Sequence, residues 1–339
     1  MPATMHPSGV MRVCIVGAGA LGCTIGAALA RGSVQGGGEP IEVWLVNRNR
    51  DHVDAITRRG LLVRLGDGPA ATEHTVRLRA ATSTRGIGPV DVVIVLVKSF
   101  ATADAARQAE ALLGPETVVL TLQNGLGNEQ ALASVLGAQR VLQGITYVGG
   151  RLIGPGQVSS GVAGKRTVIG ELDGRVTPRV RRIADAFGAA GLATEVADDI
   201  TGAVWDKLLV NVSTGALSAL TRLTYGDLMA DPGLERTACA AVQEGIDIAT
   251  ALGVSLSVHE PQAIWRSAAQ GLPTDFKTSM LQSIESGRRT EIDVINGALV
   301  RDGERTGVPT PVNATLVAAV RGLETGLGHA QPTARHTPA

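Results

Sequence analysis

A glycine-rich segment near the start of the chain constrains the fold more than any other feature. Gly17, Gly19 and Gly22 form the pattern G-x-G-x-x-G, between an apolar run at 10–16 and a helical pattern at 21–31. The first glycine of such a pattern permits a tight turn, the second lets the backbone approach a pyrophosphate, and the third allows close packing of helix on strand. A strand, a glycine loop and a helix in this order predict a dinucleotide site, with a purely structural turn as the alternative.

The rest of the chain divides into two patterns. Apolar runs at 41–46, 90–97 and 118–122 are typical of buried strands, and residues 51–59 have a helical pattern. Apolar strands alternating with helices indicate a parallel sheet covered on both faces. Long helical periodicities follow at 201–221, 233–252, 257–270, 274–286 and 290–307.

These patterns predict an α/β N-terminal Rossmann-type dinucleotide-binding domain over 11–198 and an all-α C-terminal domain over 199–327. The first is expected to bind the cofactor, because it contains the glycine loop. Residues 1–10 are expected to form a loose extension, and the polar segment 328–339 a disordered tail.

Composition gives no argument for a nucleic acid or a membrane as partner. Lys plus Arg and Asp plus Glu each number 31 among the 339 residues, so the formal net charge is zero and favours neither nucleic acid nor an anionic membrane surface. Cys14, Cys23 and Cys239 lack the spacing of metal ligands, which indicates reduced thiols, a cytoplasmic location and no metal site. A homodimer is left open.

The segment after the second predicted strand indicates which cofactor binds. NAD enzymes place Asp or Glu at this point for the ribose 2′-hydroxyl, whereas this chain has Arg48 and Arg50 and no acidic residue before Asp51. An arginine fork suits a 2′-phosphate, so Arg48 is predicted to bind NADPH. The alternative is that these arginines are only solvent-exposed residues of a loop.

Five segments in order carry a resemblance to a known family: GAGALG, VVIVLVK, LQNGLGNE, WDKLLVN and TSMLQSIESGRRTEIDVING. From about Met11 to about Leu323 the chain resembles the ketopantoate reductase family. The resemblance implies NADPH-dependent reduction of the 2-oxo acid 2-dehydropantoate to pantoate, in pantothenate biosynthesis. Two alternatives stay open: a paralogous NADPH-dependent reductase of another 2-oxo acid or carbonyl compound, and a non-catalytic NADP-binding sensor.

Lys207 lies in an otherwise apolar helical segment, where a lysine either reaches the surface or is partly desolvated. Desolvation lowers the pKa of an ammonium and makes it a better proton donor near neutral pH. The resemblance implies that Lys207 is the general acid, and therefore that the domain over 199–327 binds the substrate and carries the catalytic group. Asn211, four residues later, shares a helix face with Lys207 and is predicted to orient the substrate, with a core amide as the alternative.

The resemblance also implies that Glu291 and Ser279 bind the substrate. Glu291 is expected to open a helix and to hold Lys207 electrostatically. The alternative is an ion pair of Glu291 with Arg288 or Arg289 on a solvated helix start.

Lys98 and Asn124 follow apolar strands, and ligands of doubly wound sheets bind beyond the carboxyl ends of strands. The resemblance places Asn124 beside the nicotinamide ribose and Lys98 against the cofactor or substrate, although the Asn-Gly pair also suits a simple turn. Together with Arg48, the expected cofactor-binding residues in the glycine loop are Gly17, Ala18, Gly19, Ala20, Leu21 and Gly22.

Two positions depart from the family pattern. Gly215 and Tyr225 stand where the resemblance places asparagines that bind substrate. Their absence suggests a different pocket, because an unpaired polar group in a closed site costs on the order of 1 kcal/mol or more. 2-Dehydropantoate is the leading candidate substrate, and the exact 2-oxo acid, the stereochemistry and the regulation are left open.

Overall fold

The structure is a computed structural model that describes residues 9–35, 39–66 and 71–330. The loose extension predicted for 1–10 lies outside the described residues except at its last two positions. The last helix continues to residue 330, so the disordered tail predicted from residue 328 is wrong for its first three positions, and the rest of it lies outside the described residues.

Contacts between α-carbons divide the chain into two units. The first holds the described residues up to Gln123 together with Gly127–Ile200. The second holds the described residues from Thr201 onwards together with the short segment Asn124–Leu126.

The first unit contains all twelve strands of the described residues. They are β1 (Met11–Val16), β2 (Ile41–Val46), β3 (Leu61–Leu65), β4 (Thr72–Val76), β5 (Arg79–Ala81), β6 (Val92–Val95), β7 (Val118–Thr121), β8 (Val141–Thr146), β9 (Gly149–Gly154), β10 (Gln157–Gly161), β11 (Thr167–Glu171) and β12 (Thr194–Val196). The main sheet has the order β12-β11-β8-β7-β6-β1-β2-β5, and a second sheet has the order β4-β3-β10-β9.

The main sheet confirms the predicted α/β fold. Every neighbouring pair in it is parallel except β8 and β11, which are antiparallel. Side chains of β6 and β7 are buried along their whole length, which explains the unbroken apolar runs in the sequence. Antiparallel β11 and the second sheet were not anticipated, because these strands include short, polar or glycine-rich segments.

In the described part of the first unit, five α-helices accompany the sheets: α1 (Ala20–Gln35), α2 (Arg50–Arg59), α3 (Thr102–Ala109), α4 (Asn128–Leu136) and α5 (Pro178–Ala189). Local chemistry sets the ends of α2, because the Asn49 side chain accepts a hydrogen bond from the His52 N–H and Gly60 ends the helix with a φ of 82°. Helix α1 runs beyond the predicted stretch 21–31.

The second unit confirms the predicted all-α domain. Its helices are α6 (Ile200–Thr221, whose first residue belongs to the first unit), α7 (Tyr225–Ala230), α8 (Pro232–Ala251), α9 (Pro261–Ala268), α10 (Ser279–Glu285), α11 (Asn296–Thr306) and α12 (Pro311–Ala330). Three of these begin later than predicted. Helix α9 starts at a proline, α10 follows the capping side chain of Thr278, and α11 follows Ile295, whose φ and ψ of −101° and −96° interrupt the helical path.

A buried carboxylate from α8 caps the start of α12. Glu244 Oε1 accepts the Val312 N–H at 2.7 Å, while Oε2 accepts the Asn313 N–H at 2.9 Å and the Asn313 Nδ2 at 2.7 Å. The Asn313 Oδ1 accepts in turn from Asn296 Nδ2 at 2.9 Å, and both asparagines are fully buried. This network joins α8, α11 and α12 around two fully buried asparagines.

Replacing Glu244 with Ala should lower the free energy of unfolding by about 3 kcal/mol, because the buried donors of Asn313 and the partly buried N–H of Val312 lose a charged acceptor. Urea unfolding followed by circular dichroism measures the change. Asp247→Ala is the matched control, since Asp247 is exposed on the same helix and should change the free energy by no more than about 0.5 kcal/mol. Equal effects of the two variants would contradict the capping role.

Candidate active site

The glycine loop lies between β1 and α1 and is tied to the end of β2. The N–H groups of Gly17 and Ala18 both donate to the Val46 carbonyl, at 3.1 and 2.9 Å. Gly17 has a φ of 110°, and a Cβ there would lie 2.5 Å from the Leu96 carbonyl carbon. A Cβ at Gly22 would overlap the Gly17 carbonyl. The first and third glycines are therefore required by the packing of the chain itself.

Gly19 differs from its two neighbours in the motif. A Cβ at this position would meet nothing within 4 Å, so the chain's own packing does not require glycine here. A small residue at this point leaves room for another group to approach the backbone where α1 begins. The start of a long helix offers free N–H groups and a positive dipole end to phosphate oxygens. The loop therefore fits the pyrophosphate of a dinucleotide.

Side chains not identified from the sequence hold this loop in place. Asn47 Nδ2 donates to the Ala18 carbonyl at 2.6 Å. The Cys23 Sγ lies 3.5 Å from the same oxygen and 3.3 Å from His52 Nε2. Burial raises the pKa of Cys23 to about 12 and lowers the pKa of His52, so the thiol stays protonated and the imidazole neutral near pH 7. Their proximity comes from different elements, which explains why spacing in the sequence did not indicate it.

Two basic residues follow strands adjacent to the glycine loop. Arg48 is exposed two residues after β2, and Lys98 directly precedes the 3₁₀ turn Ser99–Ala101 that follows β6. In the sheet, β1 is flanked by β2 and β6, all three parallel, so their carboxyl ends share one edge. The first unit therefore brings together the glycine loop, Arg48 and Lys98 at the edge where ligands of such sheets bind.

In the second unit, Lys207 of α6 is partly buried. Burial lowers the pKa of its ammonium from 10.5 to about 8, and the negative charge of Glu291 acts in the opposite sense. Glu291 is itself only 9% exposed. A desolvated ammonium influenced by a buried carboxylate is unlike a lysine that reaches the surface.

Glu291 directly precedes the 3₁₀ turn Ile292–Val294. The prediction that it opens a helix holds only for this short turn, because Ile295 interrupts the path and α11 begins at Asn296. Nearby, Arg289 forms an ion pair with Asp293 at 2.6 Å. Asp293, within the turn, is more exposed than Glu291, which directly precedes it.

Asn124 belongs to the second unit, as do the two residues that follow it. The Leu126 N–H donates to the Val294 carbonyl at 2.9 Å. Gly125 has a φ of 85°, and a Cβ there would overlap the same carbonyl. Because Val294 ends the turn preceded by Glu291, the second unit holds the segment of Asn124 beside that turn.

The remaining predicted substrate residues lie on two helices. Asn211 is partly buried, one turn after Lys207 on α6. Ser279 is exposed at the first position of α10. Ser279 lies on a different helix from Lys207 and Asn211, and among the described residues its side chain forms no hydrogen bond with them or with Glu291.

The two departures from the family pattern are occupied by packing. A Cβ at Gly215 would lie 3.3 Å from the Met280 Cε, so the methionine methyl takes up the space expected there. Tyr225 is 7% exposed, its hydroxyl lies 3.3 Å from Thr214 Oγ1, and its ring centroid is 5.1 Å from that of Phe276. Burial raises the pKa of Tyr225. Apolar groups and a paired phenol therefore stand where amides were expected.

In the part of the chain that the structure describes, no three His, Cys, Asp or Glu side chains are grouped as a metal ion requires. None of the described helices combines the length and apolar character that a bilayer crossing needs.

A Rossmann-type unit with a glycine loop, followed by a helical unit with a desolvated lysine, defines the class of two-domain dinucleotide-dependent oxidoreductases. The family model described as "Ketopantoate reductase PanE/ApbA" matches residues 13–174, and its C-terminal counterpart matches residues 199–324. The chain belongs to the ketopantoate reductase family.

Individual relatives match along nearly their whole length. The 2-dehydropantoate 2-reductase of Halobacterium salinarum is 37% identical over 92% of this chain and 98% of its own. The crystal structure of a PanE/ApbA family ketopantoate reductase from Ralstonia eutropha is 36% identical, with a TM-score of 0.83 over 94% of this chain and 100% of its own. D-mandelate dehydrogenase, solved with NADH and anilino(oxo)acetate, is 26% identical, with a TM-score of 0.84 over 94% of this chain and 99% of its own.

Proposed function

We propose that this chain reduces 2-dehydropantoate to pantoate with NADPH. The observation that carries this proposal is Lys207, a partly buried lysine whose pKa of about 8 is set by burial and by the charge of Glu291. A chain that only bound a dinucleotide would have no need of such a proton donor, which disfavours the alternative of a sensor. The names of relatives that are 37% and 34% identical, both 2-dehydropantoate 2-reductases, support the choice of substrate.

The first unit would hold the cofactor. The loop from Gly17 to Gly22, with the open backbone at Gly19, suits the pyrophosphate, and Arg48 suits the 2′-phosphate. Lys98 follows β6 at the same edge of the sheet. When bound, NADPH supplies the hydride that reduces the ketone carbon.

Lys207 would supply the proton. With a pKa of about 8, the amine is mostly protonated at pH 7, and desolvation makes its proton easier to release than that of an ordinary lysine. The proton passes from Lys207 Nζ to the carbonyl oxygen, which becomes the new hydroxyl. The carboxylate of Glu291 stabilises the charged form before transfer. Asn211 and Ser279 would orient the substrate, and Asn124 would contact the ribose beside the nicotinamide.

A second candidate function is reduction of a different 2-oxo acid. D-mandelate dehydrogenase shares the fold at 26% identity, which shows that another hydroxy-acid enzyme uses this architecture. The packing of Met280 beside Gly215 and the buried Tyr225 favour a pocket that differs from the family pattern. The cytoplasmic location stays a prediction and a homodimer stays open, and light scattering after size-exclusion chromatography measures the oligomeric state.

Replacing Arg48 with Ala should raise the dissociation constant for NADPH by roughly tenfold and leave that for NADH nearly unchanged, because only NADPH carries the 2′-phosphate. Quenching of protein fluorescence during titration measures both constants. Arg58→Ala, an exposed arginine at the end of α2, is the control and should change neither constant. Equal affinity of the unaltered protein for the two cofactors would overturn the assignment of NADPH.

Replacing Lys207 with Ala should reduce turnover by roughly a hundredfold or more, as loss of a positioned acid does. The protonated amine is the active form, so turnover of the unaltered enzyme should be level below pH 8 and fall as the pH rises through the pKa of about 8. Steady-state rates from pH 6 to 10 measure this limb, which Lys207→Ala should lack. Lys165→Ala, in the first unit, should retain both the rate and the profile.

A panel of 2-oxo acids assayed by NADPH consumption tests the substrate. We expect 2-dehydropantoate to reach a kcat/KM of at least ~10⁴ M⁻¹s⁻¹, the lower range for enzymes on their own substrates. Phenylglyoxylate, the ketone that corresponds to mandelate, is the comparison compound. A value for 2-dehydropantoate that is orders of magnitude lower, with another acid preferred, would replace the first candidate function with the second.

A further inference from the structure

Gln123 connects the loops that follow two adjacent strands of the main sheet. It lies two residues after β7 and is partly buried. Its Nε2 donates to the Val97 carbonyl at 2.7 Å and to Thr102 Oγ1 at 2.9 Å, while its Oε1 accepts from Thr121 Oγ1 at 3.1 Å. Val97 lies two residues after β6, so the amide bridges the two strand ends.

The orientation of this amide follows from its partners. A backbone carbonyl can only accept a hydrogen bond, so Val97 requires the nitrogen of Gln123 and not the oxygen. The Thr102 hydroxyl then accepts from Gln123 and donates to Asn128 Oδ1 at 3.1 Å. Thr102 and Asn128 are 1% and 3% exposed, so water cannot substitute for these bonds. Gln123 is the centre of a buried network that includes the first residues of α3 and α4.

The network acts on the residue that follows Val97. Lys98 is covalently attached to the carbonyl group that Gln123 holds, and Lys98 is the residue assigned above to the cofactor edge of the first unit. Fixing the Val97 carbonyl restricts the backbone from which the Lys98 side chain starts. A side chain at position 123 without an N–H group would remove the hydrogen bond that this carbonyl accepts from Gln123.

We propose that Gln123 is a positioning residue for the reductase reaction, acting through the Val97 carbonyl to fix the backbone that carries Lys98. The inference rests on the proposed function, because it assigns Lys98 to the cofactor. Gln123 would alter cofactor binding without itself donating to the cofactor, since both of its N–H groups are used within the network.

The opposite ends of the same two strands provide a matched control. Thr117, just before β7, donates to the carbonyl of Val90, two residues before β6, at 2.6 Å and accepts the Gly114 N–H at 2.7 Å. Thr117 is 3% exposed. Its hydroxyl therefore makes a buried bond between the segments flanking β6 and β7, as Gln123 does, but at the amino ends of the strands. Loss of either bond should destabilise the first unit. Only loss of the Gln123 bond should weaken the binding of NADPH.

The experiment compares Gln123→Met, which keeps the length of the side chain without its hydrogen bonds, with Thr117→Val. Thermal unfolding, the NADPH dissociation constant, and KM and kcat are measured for each. Both variants should unfold at lower temperature. Gln123→Met should raise the NADPH dissociation constant roughly tenfold, while Thr117→Val stays within about twofold of the unaltered enzyme. Equal changes of the dissociation constant in the two variants would overturn the proposal.

A double variant tests whether Gln123 acts through Lys98. In the background of Lys98→Ala, Gln123→Met should have little further effect on the NADPH dissociation constant, because the positioned group is already absent. Fully additive changes would overturn the proposal and leave Gln123 a general stabilising residue. Gln123→Glu keeps the acceptor and loses both donors, so it should behave like Gln123→Met or worse.

These readouts separate the inference from the proposed function. NADPH binding by the unaltered protein without turnover of any 2-oxo acid would overturn the proposed reaction, and the comparison of dissociation constants would still decide the role of Gln123. Failure of the unaltered protein to bind NADPH would overturn both.

Discussion

The close approach of Gly17 to the backbone at Leu96 is the contact on which the first unit depends. The Leu96 N–H donates to the Val16 carbonyl at 2.8 Å, and the turn after β1 then passes so near that a Cβ on Gly17 would lie 2.5 Å from the Leu96 carbonyl carbon. No side chain can occupy that space. The glycine loop, the end of β2 and the loop after β6 take their spacing from this contact, because each is hydrogen-bonded to β1 or to its turn.

A different constraint organises the second unit. The fall in the pKa of Lys207 from 10.5 to about 8 corresponds to a free-energy cost of about 3 kcal/mol for holding the ammonium charged in its partly buried place. Apolar burial along the same helix offsets that cost, since Leu208, Leu209 and Val212 are each at most 1% exposed. Helix α6 therefore has a buried apolar face and one ammonium, that of Lys207, whose charged form is unfavourable. Strongly shifted pKa values of this kind are concentrated in active sites.

Residue patterns predicted the elements whose burial is uniform and missed those whose stability depends on distant partners. Strands β1, β2, β6 and β7 were predicted because most of their side chains are buried, whereas the segment TEHTV of β4 is largely exposed and has no comparable apolar pattern. Helix α8 was predicted from its periodicity to within one residue at each end, and in the structure it begins at Pro232 with Asp231 as its cap.

The residues of the site also divide into those that a sequence pattern or resemblance indicated and those whose role depends on distant partners. The sequence indicated Lys207 as an anomaly within an apolar helix, and the family resemblance supplied Glu291, although the two are 84 positions apart in the numbering. The hydrogen bond from Gln123 to Val97 joins residues 26 positions apart, and neither residue has a composition signal of its own. The interruption at Ile295 likewise depends on backbone angles that a helical periodicity does not reveal.

The short segment Asn124–Leu126 has a consequence for how this architecture can be exchanged between proteins. The helical unit is discontinuous in the chain, because Leu126 provides the N–H that the Val294 carbonyl accepts, although the rest of the unit begins at Thr201. A recombination event that transferred only the stretch after residue 200 would leave that carbonyl without its native donor and Gly125 without its neighbour. The two regions matched by separate family models therefore cannot be exchanged between relatives independently of each other. Grafting a helical unit from a relative would need to bring three residues from the other half with it.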